Sequence, residues 1–171
     1  MADPAPDFND PLGLLLACHQ RILSRCEMLE KLVPHIAEHG VDNEARSTIR
    51  NISQYFSTAA VHHTQDEEVD LFPVLNRQSL KLADIVYRLH KQHAELQILQ
   101  DRILAALKNS SALPGNADFA DAVGQFCALY REHIKSEEKE LFSIARHILS
   151  SQQIEDLGDA MARRRRVRRL P

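Results

Sequence analysis

Two short motifs place histidine and carboxylate side chains at a spacing that can hold a metal ion. His63 precedes Glu67 and His133 precedes Glu137, each pair four residues apart. On an α-helix that step turns the chain by only about 40°, so both side chains of a pair leave the same face. That face is apolar, because Phe56 and Leu71 flank the first pair and Phe126, Tyr130, Leu141 and Ile144 flank the second. An acid in a core is costly unless something positive compensates it, and two acids in one core also repel each other. No lysine or arginine falls on these stripes. A pair of divalent cations removes the difficulty, since imidazole nitrogens and carboxylate oxygens satisfy it and a glutamate can bridge two ions. His19 and His93 fall on the apolar stripes of two further segments, and His90, about 60° from His93, is a candidate fifth imidazole. A lone core histidine is more often only hydrogen-bonded, but four in register, two of them followed by glutamates, point to metal. The candidate ligands are His19, His63, Glu67, His90, His93, His133 and Glu137.

The donor set also selects the ion. Nitrogen and oxygen without thiolate favour iron, with manganese also suited, over structural zinc. Cys18, Cys26 and Cys127 have no paired spacing and read as small buried thiols. With five histidines and two bridging glutamates, one ion would keep an open position for dioxygen, nitric oxide or peroxide.

Helices must carry these residues. Asp10 with Pro11 caps a first segment whose apolar residues run from Leu12 to Val33 and which stops near Gly40. A second begins at Asp42 or Asn43 and runs past His63 to Leu75, with Pro73 loosening its last turn. Ser79 caps the third and Asn116 the fourth, and Ser150 with Gln153 forms a capping box for a short fifth. Four helices of roughly 30 residues joined by short loops must alternate in direction. The expected fold is all-α, an up-down-up-down four-helix bundle over residues 11–162, preceded by a short extension, 1–10, and followed by an arginine-rich tail, 163–171.

An internal repeat supports a paired centre. Residues 63–72 line up with 133–142 at an offset of 70, and Cys18-His19 lines up more weakly with Gln92-His93 at an offset of 74. Each half then looks like a helical hairpin with one histidine opposite a His-x-x-x-Glu. Glu68 and Glu138 sit about 140° from their histidines and read as solvent or neighbour contacts unless the helix is locally distorted. His62 pairs by spacing with Asp66, and Asp70 and Glu140 suit a supporting or entrance position.

Taken together, His19, His63-x-x-x-Glu67-Glu68-x-x-Leu71-Phe72-Pro73, His93 and His133-x-x-x-Glu137-Glu138-x-x-Leu141-Phe142 resemble the hemerythrin-like HHE cation-binding family over roughly residues 10–165. The resemblance implies a non-haem di-iron centre bridged by two carboxylates and an oxo or hydroxo group. It makes Glu67 and Glu137 the bridges and places histidine ligands at 19, 63, 93 and 133. Oxygen-carrying members space the third-helix pair i+4 and the fourth-helix acid i+5, whereas here they stand at i+3 and i+4, which points away from reversible oxygen carriage. Iron-sulfur repair relatives carry an extra cysteine-bearing N-terminal region, and only about ten residues precede the first helix here.

The expected function is a di-iron protein that binds or senses dioxygen, nitric oxide or a related oxidant, with a small diatomic molecule or peroxide as its partner. The alternatives are a di-iron enzyme turning over peroxide or nitric oxide or oxidising ferrous iron, and an iron-handling or iron-sulfur repair protein. Net charge is -3, but the arginines at 163–166, 168 and 169 contribute +6, so the preceding chain carries about -9. Such a tail suits a helix C-terminus and an acidic body, in this chain or across a homodimer, better than nucleic acid, since it has no aromatic partners. No apolar run reaches the length of a membrane span, and the start lacks the parts of a signal peptide, so no membrane insertion and a cytoplasmic location are expected.

Overall fold

The computed structural model describes residues 7–167; Arg168 and Arg169 of the arginine run lie outside them. Helix α1 spans Pro11–His39. The second rod is built in pieces: α2 (Asn43–Ser57), α3 (Ala59–Gln65), a π-helical segment Asp66–Leu71, and α4 (Phe72–Asn76). Helix α5 spans Leu80–Lys108. The fourth rod comprises α6 (Ala117–Ser136), a second π-helical segment Glu137–Phe142, and α7 (Ser143–Ile148), and α8 (Ser151–Arg164) follows.

Side chains at the starts satisfy backbone donors that a helix cannot pair internally. Asp10 accepts from the Gly13 N–H at 3.0 Å, Asp42 from Ala45 at 2.8 Å, Ser79 from Leu82 at 3.2 Å and Asn116 from Phe119 at 2.9 Å. Ser150 and Gln153 form the expected reciprocal box. Gly40, at φ 69°, ends α1 in a conformation that side-chain-bearing residues seldom adopt. Helix α1 packs against α2 and α6, and α5 packs against α6 and α2, which closes the antiparallel ring. The bundle is all-helical among the described residues, as expected.

The second rod differs from the single helix that the sequence predicts. Thr58 leaves helical geometry at φ -132° and ψ -79°, and its hydroxyl donates to the Gln54 carbonyl at 2.6 Å. Such back-bonding to the carbonyl four residues earlier bends helices. Both π segments also have a local cause. Pro73 has no N–H to offer the Val69 carbonyl. At the matching position of the repeat, the Ser143 hydroxyl takes the Lys139 carbonyl at 2.6 Å. Each disturbance falls on the ladder just where the bonding lengthens to i→i+5, as in the Phe72 N–H to Glu67 bond.

The core forms two apolar clusters. One holds Ile22, Leu29, Ile52, Phe56, Leu96, Ile103, Phe126 and Tyr130; the other holds Leu15, Leu71, Phe72, Leu89, Leu141, Phe142 and Met161. On each rod the candidate histidine lies between them, as His19 does between Leu15 and Ile22. The polar residues therefore occupy one layer across the bundle.

Candidate metal centre

Four rods bring His19, His63, Glu67, His93, His133 and Glu137 to that layer. Glu67, Glu137, His19 and His133 are fully buried and His63 is 1% exposed. Glu67 touches three imidazoles: its Oε1 lies 3.1 Å from His63 Nε2 and 3.7 Å from His19 Nε2, and its Oε2 lies 3.3 Å from His93 Nε2. Glu137 Oε2 lies 3.1 Å from His19 Nε2 and 3.6 Å from His133 Nε2. Donor atoms of His19, His63 and Glu67 form one compact group and those of Glu67, His93 and His133 another, so Glu67 belongs to both. His90 is placed apart, exposed on α5, where its Nδ1 lies 2.8 Å from Glu68 Oε2.

The outward nitrogens of three rings are held by Glu138, Glu68 and Gln92, the last of which the sequence pattern does not single out. His19 Nδ1 donates to Glu138 at 2.8 Å, His93 Nδ1 to Glu68 at 2.5 Å, and His133 Nδ1 to Gln92 at 3.0 Å. Acceptors at Nδ1 turn Nε2 toward the centre of the bundle. Glu68 and Glu138 lie in the π segments and turn toward the facing rods, Glu68 to α5 and Glu138 to α1, and not toward the histidines of their own motifs. The signal for them was the repeat itself, which carries both glutamates of each Glu-Glu pair. Two phenylalanines cover the rings from one side: Phe142 stacks on His19 with centroids 5.5 Å apart, and Phe72 on His93 at 5.6 Å.

Asp66 is also a buried acid, and its partners are not His62 but Arg164 and Arg165. Asp70 pairs with Arg164 at 2.6 Å and Glu140 with Arg88 at 2.8 Å. All three cysteines are buried and free.

Without metal the layer redistributes protons. Burial alone would lower His19 and His93, but the glutamates outweigh it: Glu137 and Glu67 push His19 up to about 11, and Glu67 and Glu68 push His93 up to about 10. Burial lowers His63 to about 4, and burial with the neighbouring His93 lowers His133 to about 3. Glu67, despite its burial, is held well below the ordinary value by His63, His19 and His93. Burial and the nearby Glu67 raise Glu137 to about 7.

The fit to metal is decided by atoms without partners. Both oxygens of Glu67, both of Glu137, and Nε2 of His19 and of His133 are buried and make no hydrogen bond. Natural structures rarely leave one such atom orphaned, and here the orphans converge on one another. Cations held by imidazole and carboxylate satisfy all of them together.

A four-helix bundle whose inward histidines and glutamates meet in one buried layer belongs to the class of cation-binding bundles. Residues 10–145 match the hemerythrin HHE cation-binding domain, and the chain belongs to that family. An uncharacterized protein of Haemophilus influenzae is 29% identical over 161 residues, which cover 94% of this chain and 93% of that protein. Uncharacterized proteins of Mycobacterium tuberculosis and Mycobacterium bovis are each 29% identical over 119 residues, 68% of this chain. The shared part is 44% of those mycobacterial proteins. No helix among the described residues is long and apolar enough to cross a membrane.

Proposed function

We propose that the domain holds two iron ions, or manganese in their place, between His19, His63, His93 and His133, with Glu67 and Glu137 shared by both ions. The centre binds or senses dioxygen, nitric oxide or a related small oxidant. The observation that carries this reading is the four fully buried carboxylate oxygens of Glu67 and Glu137, which make no hydrogen bond and lie among four imidazoles. When bound, such an ion pair supplies reversible electron transfer and coordination positions that a diatomic molecule or peroxide can take. The protein's own part is to hold the ring nitrogens through Glu68, Glu138 and Gln92 and to keep water out with the apolar clusters on either side. His90 enters this reading through Glu68, which it helps to hold.

Metal analysis of protein expressed with ample iron and manganese tests the centre. Anaerobic reduction followed by oxygen, nitric oxide or peroxide, with visible spectra and turnover recorded, tests the activity. A stable, reversible adduct supports binding or sensing. Catalytic consumption would make the protein an enzyme, and loss of iron to a mild chelator with melting of the fold would make it an iron-handling protein. Metal-free protein of equal stability overturns the whole reading.

Loading is expected to be pH-dependent in a defined direction. At neutral pH the metal-free layer keeps a proton on each of His19 and His93, whose values of about 11 and 10 lie far above 7. A ligand nitrogen must give that proton up, so apparent affinity rises with pH and falls as pH drops. Titrating metal into weakly buffered protein at pH 7 should release one proton from each of these rings, and Glu137, near 7, adds a fraction. Loading without proton release would show that those rings are not ligands.

A further inference from the structure

We propose that Arg164 and Arg165, at the end of α8, lock the first π segment and thereby position Glu67. This rests on the metal-centre reading above for its effect on metal, but not for its effect on the segment. Asp66 opens that segment next to Glu67 and is fully buried. Its carboxylate is held by side chains from nearly a hundred residues away. Arg165 reaches Oδ1 at 3.1 Å and Oδ2 at 2.6 Å, and Arg164 contacts Oδ1 while its second nitrogen takes Asp70 at 2.6 Å. The two guanidinium groups thus fasten both ends of the stretch that presents Glu67 and Glu68.

The halves of the repeat show why this stretch needs fastening. In the second half, Gln92 holds His133 Nδ1 at 3.0 Å. The position matching Gln92 in the first half is Cys18, and His63 Nδ1 has no hydrogen-bond partner. The position matching Asp66 is Ser136, which has no charge to anchor. One half is therefore secured at its histidine and the other through the backbone beside its glutamate. The family match ends at residue 145, before α8 begins, so the two arginines of the lock lie outside the matched residues while Asp66 and Asp70 lie within them. Helix α8 is itself fixed by Leu157 and Met161, which pack in the same apolar cluster as Leu12, Leu15 and Leu71.

The test is the double variant Arg164→Ala/Arg165→Ala in the full chain, with Arg131→Ala as a control that breaks another guanidinium–carboxylate pair, to Glu30. In metal-free protein, amide exchange over Asp66–Leu71 should speed up about tenfold while Glu137–Phe142 stays as in wild type; in loaded protein, release to a chelator should be about tenfold faster. Arg131→Ala should change neither, and Arg164→Lys/Arg165→Lys, which keeps charge without the planar fork, should recover part of the loss. If the double variant does not fold, Asp66→Asn added to it removes the stranded buried charge, and the same two measurements are made there. Exchange unchanged over Asp66–Leu71, or raised equally in both π segments, overturns the lock. Wild-type protein that takes up no metal overturns the function proposed above and leaves the exchange result to decide the lock alone.

Discussion

Replacing Glu67 by alanine is expected to strip the centre of metal while leaving a helical protein, and Glu137→Ala should act in the same direction with a smaller effect. Glu67 approaches His19, His63 and His93, and belongs to both groups of donor atoms. With two ions bound as proposed, its loss would remove a ligand from both at once. Glu137 approaches His19 and His133. Removing a partner of a ligand costs about 10–100-fold in affinity, so removing a shared ligand should exceed about 100-fold. The helices should persist because the polar layer is thin and the apolar clusters above and below it stay intact. Elemental analysis with a competing chelator measures the first effect and far-ultraviolet circular dichroism the second. Two ions per chain retained in both variants would remove these residues as bridges.

Phe126→Ala should do the reverse, costing stability without touching the metal. The ring is 1% exposed, stands edge-on to Phe56 with centroids 5.2 Å apart, and meets Tyr130 at 4.9 Å. Deleting a close-packed phenylalanine leaves a cavity that costs about 3–5 kcal/mol. For a domain of this size that lowers Tm by on the order of 10 °C. Denaturant unfolding gives the free energy, and metal affinity measured well below the transition should match wild type, because Phe126 lies in the cluster beyond the ligand layer. A loss under about 1 kcal/mol would show that the interior closes around the missing ring.

The contrast between these variants follows the division between what the chain displays in order and what folding brings together. Periodic apolar residues, the caps at Asp10, Asp42, Ser79, Asn116 and Ser150, and the two His-x-x-x-Glu motifs are local patterns, so the bundle and its six converging side chains could be read from them. Helical spacing turns Glu68 and Glu138 away from their own histidines toward neighbouring rods, as the structure has them, but it does not say which rings they meet. Pro73 was visible as a helix disturber, but its counterpart Ser143 acts through a hydroxyl that ordinarily points to solvent. Gln92 and the Asp66–Arg165 pair depend on contacts between distant segments, and no spacing rule encodes them. His62 and Asp66 stand at helical i+4 spacing, yet the half-buried guanidinium fork of Arg165 claims the buried acid.

The phenylalanine covers have a kinetic consequence. Phe142 lies over His19 and Phe72 over His93, so each hairpin supplies the aromatic wall against which a ligand of the other rests. A ring from the opposite hairpin closes one side of each imidazole, so a swing in that direction needs the other hairpin to move. Release of a cation held by either ring is therefore expected to couple to relative motion of the two hairpins, and to slow when that motion is restrained.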